Sequence, residues 1–124
     1  MSKLLPYLFG ALTLIHILPA MALLMPGRLS AIYGFEAGDS VLTTLLQHRA
    51  LLFGLVAGAL IWAIFTPSVR WPVLIGTVIS MAGFIIIAAA RGETGGALRS
   101  IVVADLVGLV IALIAAIILW RGAS

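Results

Sequence analysis

The sequence predicts an all-α fold, a transmembrane four-helix bundle formed by one domain over residues 1–124. Three observations support this prediction. Hydrophobic residues make up 64% of the chain and charged residues only 9%, too few charges to cover the surface of a soluble protein. The apolar residues fall into four segments of about 20, the length that crosses a hydrocarbon core of about 30 Å. Proline, glycine and single charges separate the segments.

The first two predicted spans cover residues 4–25 and 41–65. The first ends at Pro26-Gly27, a pair that does not continue a helix comfortably. Pro19 is expected to kink this span, because proline has no amide hydrogen to bond the carbonyl four residues earlier. The second span ends before Pro67, which is typical of a helix boundary.

The last two predicted spans cover residues 72–90 and 97–120. Only residues 66–71 separate the second span from the third, so these two spans are expected to form an antiparallel hairpin. The glycine-rich loop 91–96 joins the third span to the fourth. Tryptophans near the span ends, typical of the membrane interface, support these boundaries.

Small residues recur along the spans in a way that favours close packing of helices. They are Gly54 and Gly58 in the second span, Gly76 in the third, and Gly108 and Ala112 in the fourth. Such residues let helix backbones approach closely inside a membrane. We interpret them as packing positions within one chain, and the alternative is a face for a homo-oligomer.

Six polar residues inside the predicted spans form a candidate intramembrane cluster: His16, Gln47, His48, Arg49, Ser80 and Asp105. Each helix places one of them roughly 12 to 15 Å below the end of the bundle that carries loops 26–40 and 91–96. Ionisable groups at such depth are costly without a partner. This shared level is the most informative pattern in the sequence.

Helical phase predicts the direction of these side chains. Asp105 shares a face with Gly108 and Ala112, so it is expected to point into the bundle. Gln47 and His48 share a second face with Gly54. Arg49 projects away from that face, so it is expected to reach a neighbouring helix or to extend its stem towards the membrane surface.

Two interpretations of Arg49 and Asp105 remain open. In the structural one, they form a salt bridge that sets the packing of the second and fourth spans. In the functional one, they form the charged floor of a pocket that opens towards loops 26–40 and 91–96, where the guanidinium binds a carboxylate or another anionic head group.

The sequence predicts no metal site, cofactor or catalytic residue. Cysteine is absent, and two histidines alone are a weak basis for haem ligation, so His16 and His48 are interpreted as hydrogen-bonding residues. Ser80 near a histidine and Asp105 contains the residue types of a catalytic triad, but residue types without mutual geometry do not establish one.

The distribution of charge bears on partners and orientation. The seven basic residues stand singly, which argues against a nucleic-acid partner and for membrane lipid. The two predicted sides of the membrane carry equal numbers of them: Lys3, Arg70 and Arg121 against Arg28, Arg91 and Arg99. Because Glu36, Asp39 and Glu93 lie on the second side, we expect both termini in the cytoplasm.

Three short segments resemble a known group of proteins: Lys3-Leu-Leu-Pro-Tyr-Leu-Phe9, Gln47-His-Arg-Ala-Leu-Leu-Phe-Gly54 and Val102-Val-Ala-Asp-Leu-Val-Gly108. The chain resembles small bacterial four-span membrane proteins with a DoxX-like helical layout. The resemblance implies a four-helix topology and the bacterial inner membrane. It implies no catalytic residue.

Three functional hypotheses follow. The leading one is a protein that binds, or helps to transport, a small amphiphile, lipid or acid between its helices, with Arg49 and Asp105 setting the polarity of the site. The second is a non-catalytic structural or accessory subunit whose polar layer only determines helix packing. The third, less supported, is a membrane-embedded enzyme in which His16, His48 or Asp105 transfers protons.

Overall fold

The computed structural model describes residues 2–21, 24 and 40–122, and this part of the chain folds as the predicted all-α four-helix bundle. Its helices are α1 (Leu5–Ala20), α2 (Ser40–Phe65), α3 (Arg70–Ala90) and α4 (Arg99–Gly122). Short 3-10 turns precede three of them: Ser2–Leu4, Pro67–Val69 and Gly96–Leu98. The second, third and fourth helices begin and end within about two residues of the predicted spans.

Each helix packs against two others, so that the bundle closes in the order α1, α2, α3, α4 and back to α1. The helices α1 and α3 are diagonal to each other, as are α2 and α4. The contact between α1 and α2 is the most extensive, and that between α2 and α3 is the smallest. The bundle is therefore least tightly closed along the α2–α3 gap.

Three segments are long and apolar enough to cross a membrane: Ser40–Phe65, Pro67–Ala90 and Arg99–Gly122. Their outward faces carry large exposed apolar side chains, as expected for contact with lipid, and among these are Leu55, Ile79, Ile87, Val110 and Leu113. The remaining helix, α1, is apolar but has only 16 residues. At about 1.5 Å per residue it is about 24 Å long.

The first predicted span is longer than the helix that forms. The α1 helix ends at Ala20, where the amide of Met21 is bonded to the carbonyls of Ile17 and Pro19, and Leu24 lies in a turn. Pro19 withholds an amide from the last turn, which favours termination there instead of the predicted kink within a longer span.

Part of the predicted sequence pattern falls outside the described residues. The end of the predicted first span at Met25 lies there, as do Arg28, Glu36 and Asp39, on which the predicted orientation partly rests.

The core is built where small residues of α4 meet large side chains of the other helices. Ala112 is fully buried, and Gly108 is buried against α1 and α3. A Cβ atom on Gly108 would lie 2.5 Å from Sδ of Met81 and 3.6 Å from Cδ1 of Ile15. A side chain at this position would require the end of Met81 to move, so the small residue favours the close approach of three helices, as expected in a membrane bundle.

The other glycines of the predicted stripes differ from one another. A Cβ atom on Gly54 would make an ordinary 3.8 Å contact with Cβ of Ala20 at the α1–α2 interface. Gly58 and Gly76 are exposed, with no atom within 4 Å of a Cβ at either position, so neither lies at a helix contact in the described chain. Both helices are apolar on every side, so residue spacing alone did not identify the inward face.

Candidate functional site

A cavity of about 120 Å³ lies among α2, α3 and α4. Its walls come from Arg49, Leu52, Phe53 and Val56 of α2, Ser80 and Phe84 of α3, and Asp105 of α4. We call it the polar cavity. It brings together three of the six residues of the predicted cluster.

Arg49 is held in the polar cavity by two aromatic rings. Its guanidinium carbon lies 4.8 Å from the centre of the Phe53 ring and 4.5 Å from that of Phe84. Phe53 follows Arg49 by one turn of α2, whereas Phe84 comes from the neighbouring helix α3. Cation–π contacts of this kind stabilise a guanidinium in a poorly hydrated site.

Asp105 supplies the opposite charge from the helix diagonal to α2. Its side chain is only 5% exposed, and the positive charge of Arg49 acts on its carboxyl group. Removal of two charges from water is expensive, and their attraction in a low-dielectric interior offsets part of that cost. The two charges therefore act on each other between helices that make no close backbone contact.

The polar cavity opens sideways. Leu52 of α2 and Ser80 of α3 both line it and are both exposed. Within the described residues, these exposed wall residues lie on the lateral surface of the bundle, where lipid surrounds a membrane protein. The functional interpretation of the sequence expects an opening towards loops 26–40 and 91–96, and residues 25–39 lie outside the described part of the chain.

His16 lies behind the polar cavity and not in its wall. Its side chain is 1% exposed, its ring centre is 5.8 Å from that of Phe53, and its Nδ1 donates a hydrogen bond of 2.9 Å to the carbonyl of Leu12. Within the described residues, Nε2 has no hydrogen-bond partner. His16 thus forms a hydrogen bond within its own helix, in agreement with its interpretation as a hydrogen-bonding residue.

Gln47 and His48 do not join the cavity. Gln47 is half-buried and His48 is exposed, whereas the inward face of α2 is formed by Ala50, Ala57 and Leu60. Gln47 and His48 thus lie outside the inward face of α2. Arg49 reaches its neighbours because it lies beside this inward face.

Arg70 caps the end of α2, a structural role that its position in the sequence as a membrane-flanking charge did not predict. Its Nε and one terminal nitrogen donate hydrogen bonds of 2.9 Å to the carbonyls of Ala63 and Ile64 at the end of α2. Its guanidinium carbon also lies 6.0 Å from the centre of the Phe9 ring. The sequence signal for such a cap is a basic residue that follows the end of a helix after a tight turn, as Arg70 follows the end of α2 at Phe65.

An apolar groove of about 460 Å³ runs along the same α2–α3 gap. We call it the tail groove, and its walls are formed by Leu55, Val56, Ala59, Trp62, Val69, Pro72, Val73, Gly76 and Thr77. Val56 belongs both to the tail groove and to the polar cavity. The two spaces are therefore adjacent.

The arrangement offers a charged pair and a hydroxyl in a small space at the edge of an apolar one. Among the described residues, no group of three or more His, Cys, Asp and Glu side chains is placed to hold a metal ion. The side chains present are suited to binding a polar head group through the donors of Arg49 and Ser80.

Comparisons with known proteins add no assignment. No protein-family model, no curated protein and no solved structure matches the chain. The resemblance to DoxX-like four-span proteins therefore stays a prediction.

Proposed function

We propose that this chain is a membrane protein that binds, or helps to transport, a small amphiphile with an acidic head group, and that the polar cavity holds that head group. The observation that carries the proposal is the position of Arg49 in the cavity wall beside Asp105 and Ser80. A guanidinium matches the planar geometry of a carboxylate and also binds phosphate.

Asp105 determines how strongly the site attracts an anion. Together the two charges of the pair sum to zero, so an incoming anion competes with Asp105 for the Arg49 guanidinium. Such competition favours reversible binding over permanent retention, as a protein that delivers its ligand requires.

The direct test is native mass spectrometry of the purified protein, released from a mild detergent after incubation with hexadecanoate. We expect a one-to-one complex with the wild type and at least about tenfold weaker binding with Arg49→Leu. Ser80→Leu fills the cavity without changing either charge, and it should weaken binding similarly. Arg91→Leu, which removes an exposed arginine from the turn after α3, is the matched control and should bind as the wild type does.

The double variant Arg49→Leu/Asp105→Leu leaves no unpaired charge. It therefore separates loss of the binding site from loss of binding through misfolding. Hexadecanoate bound equally by the wild type, Arg49→Leu and Ser80→Leu would contradict the proposal. That result would favour the alternative in which the charged pair only sets helix packing, as in an accessory subunit.

We also propose that α1 is a fourth crossing, which puts both termini on the same side of the membrane, and that this side is the cytoplasm. Its support is the packing of α1 against both α2 and α4, with Phe9 and Leu12 fully buried in the core. Reporter fusions at each terminus test this topology. Two cytoplasmic signals are expected, whereas signals on opposite sides would mean three crossings.

A further inference from the structure

The volume of the polar cavity limits what it holds. About 120 Å³ is the share of roughly four liquid waters at about 30 Å³ each. Sites for complete small-molecule ligands typically measure about 300 to 1,000 Å³. A head group fits in the polar cavity, so the remainder of any amphiphile has to leave it.

The tail groove is the adjoining space that suits an apolar remainder. It meets the polar cavity at Val56 and continues past Ala59 to Trp62. Its one hydroxyl, on Thr77, donates a hydrogen bond of 2.8 Å to the carbonyl of Val73. The groove therefore presents hydrocarbon to its occupant.

The path from Arg49 to the far end of the groove has the length of one extended hydrocarbon chain. Trp62 follows Arg49 by 13 residues, which is about 20 Å along the helix axis at about 1.5 Å per residue. The floor is the gap between two helices only, and Gly76 widens it because this residue has no side chain.

The charged and apolar ends of the path determine the direction in which an amphiphile lies. Arg49 and Asp105 occupy one end of the path, and Trp62 and Pro72 occupy the other. Both spaces open on the α2–α3 gap, where Leu52 and Ser80 are exposed. A molecule dissolved in the bilayer reaches this path without passing through water.

On this basis, and resting on the proposed function, we infer that the ligand is a single-chain amphiphile with an anionic head group. It enters sideways from the bilayer through the α2–α3 gap, places its carboxylate or phosphate beside Arg49, and lays its tail in the groove towards Trp62.

The position of the tail is tested by fluorescence in lipid nanodiscs. In a protein with Trp71→Phe and Trp120→Phe, Trp62 is the one remaining tryptophan and reports on the far end of the groove. Hexadecanoic acid brominated at its methyl end should quench Trp62 saturably. The same acid brominated next to the carboxyl should quench it much less, because that bromine lies near Arg49.

Two glycine variants form the matched pair. Gly76→Leu places a side chain in the groove, and Gly58→Leu places one on the exposed face of α2 outside it; neither has an atom within 4 Å of the new Cβ. We expect binding at least about tenfold weaker, or about 1.4 kcal/mol, for Gly76→Leu and within about twofold of wild type for Gly58→Leu.

The source of the head group is distinguished with two further probes. Hexadecyl phosphate should bind as hexadecanoate does, since a guanidinium donates hydrogen bonds to carboxylate and phosphate alike. Two-chain phosphatidic acid should bind at least about tenfold more weakly. Equal binding of the two-chain lipid, or equal quenching by the two brominated acids, would overturn the inference.

The outcomes also separate this inference from the proposed function. Binding that depends on Arg49 but ignores Gly76→Leu would retain the head-group site and refute the tail groove. Binding that ignores Arg49 would refute both.

Discussion

Two arginines of this bundle lie on aromatic rings, yet their surroundings differ. Arg70 sits at the end of α2, where its nitrogens donate to the carbonyls of Ala63 and Ile64 and its guanidinium lies over Phe9. Arg49 is half-buried within α2, lies between Phe53 and Phe84, and lines a cavity near the charge of Asp105.

The difference separates a structural arginine from a candidate binding arginine. The carbonyls at a helix end have no intrahelical partner, so Arg70 completes the hydrogen bonding of the fold. Arg49 instead lines a cavity, where its charge acts on the Asp105 carboxyl group. Proximity to an aromatic ring is common to both arginines. What distinguishes them is that Arg70 donates to helix-end carbonyls, whereas Arg49 lies in a cavity wall.

The largest effect is expected from breaking the Arg49–Asp105 pair on one side only. Arg49→Leu leaves the Asp105 carboxylate buried without its counter-charge and should lower the free energy of unfolding by about 3 to 5 kcal/mol. The double variant Arg49→Leu/Asp105→Leu should recover most of that loss. Unfolding titrations in mixed detergent micelles measure both, and equal losses in the two variants would show that the charges are not coupled.

A smaller effect is expected from Arg70→Gln, which removes the charged cap of α2. Loss of hydrogen bonds from a charged donor should cost about 2 kcal/mol of unfolding free energy. Binding of hexadecanoate should stay within about twofold of wild type, because Arg70 lies outside the polar cavity. A variant that unfolds no more easily but binds less would reverse the roles assigned to the two arginines.

The competition between Asp105 and an anionic ligand is tested by Asp105→Asn. The amide keeps the size of the side chain and removes its charge, so Arg49 should bind hexadecanoate roughly tenfold more tightly, or by about 1.4 kcal/mol. Glu93→Gln, at an exposed position in the turn after α3, is the control. Weaker binding in Asp105→Asn, measured on folded protein, would contradict competition and indicate that the carboxylate itself contacts the ligand.

The smallest effect is expected from Phe84→Leu. Losing one cation–π contact while retaining apolar bulk should weaken hexadecanoate binding by a factor of roughly five, about 1 kcal/mol. The contact between Phe53 and Arg49 remains in this variant. A matched change far from the arginine, Ile86→Leu on the exposed face of α3, should leave the affinity unaltered.

The helices were predictable because their signals are local. Apolar runs of about 20 residues indicate membrane spans, and Pro67 and the glycines of loop 91–96 mark the boundaries. The difference at α1 has a local cause as well. A kink at Pro19 inside a longer span is the prediction, whereas the helix ends one residue after Pro19.

The inward face of α2 was not predictable in the same way. In a soluble helix, the polar side identifies the solvent-facing surface, but α2 is apolar on every side because lipid replaces water. Of the glycines spaced four apart, Gly54 lies at the α1–α2 interface but Gly58 is exposed, whereas Ala50, Ala57 and Leu60 are buried. Gly108 was placed correctly because Asp105, on the same face of α4, cannot favourably face lipid.

The sequence by itself determined that the fold is all-α, that the helices are apolar, and that charged side chains occur within them at a common depth. Composition and the cost of burying charge are enough for these conclusions. Only the tertiary structure decided which polar residues meet, that His16 and His48 stay out of the polar cavity, and that the cavity opens through the α2–α3 gap. Those features depend on how each helix is rotated about its axis, and helices surrounded by lipid carry little amphipathic pattern from which to predict that rotation.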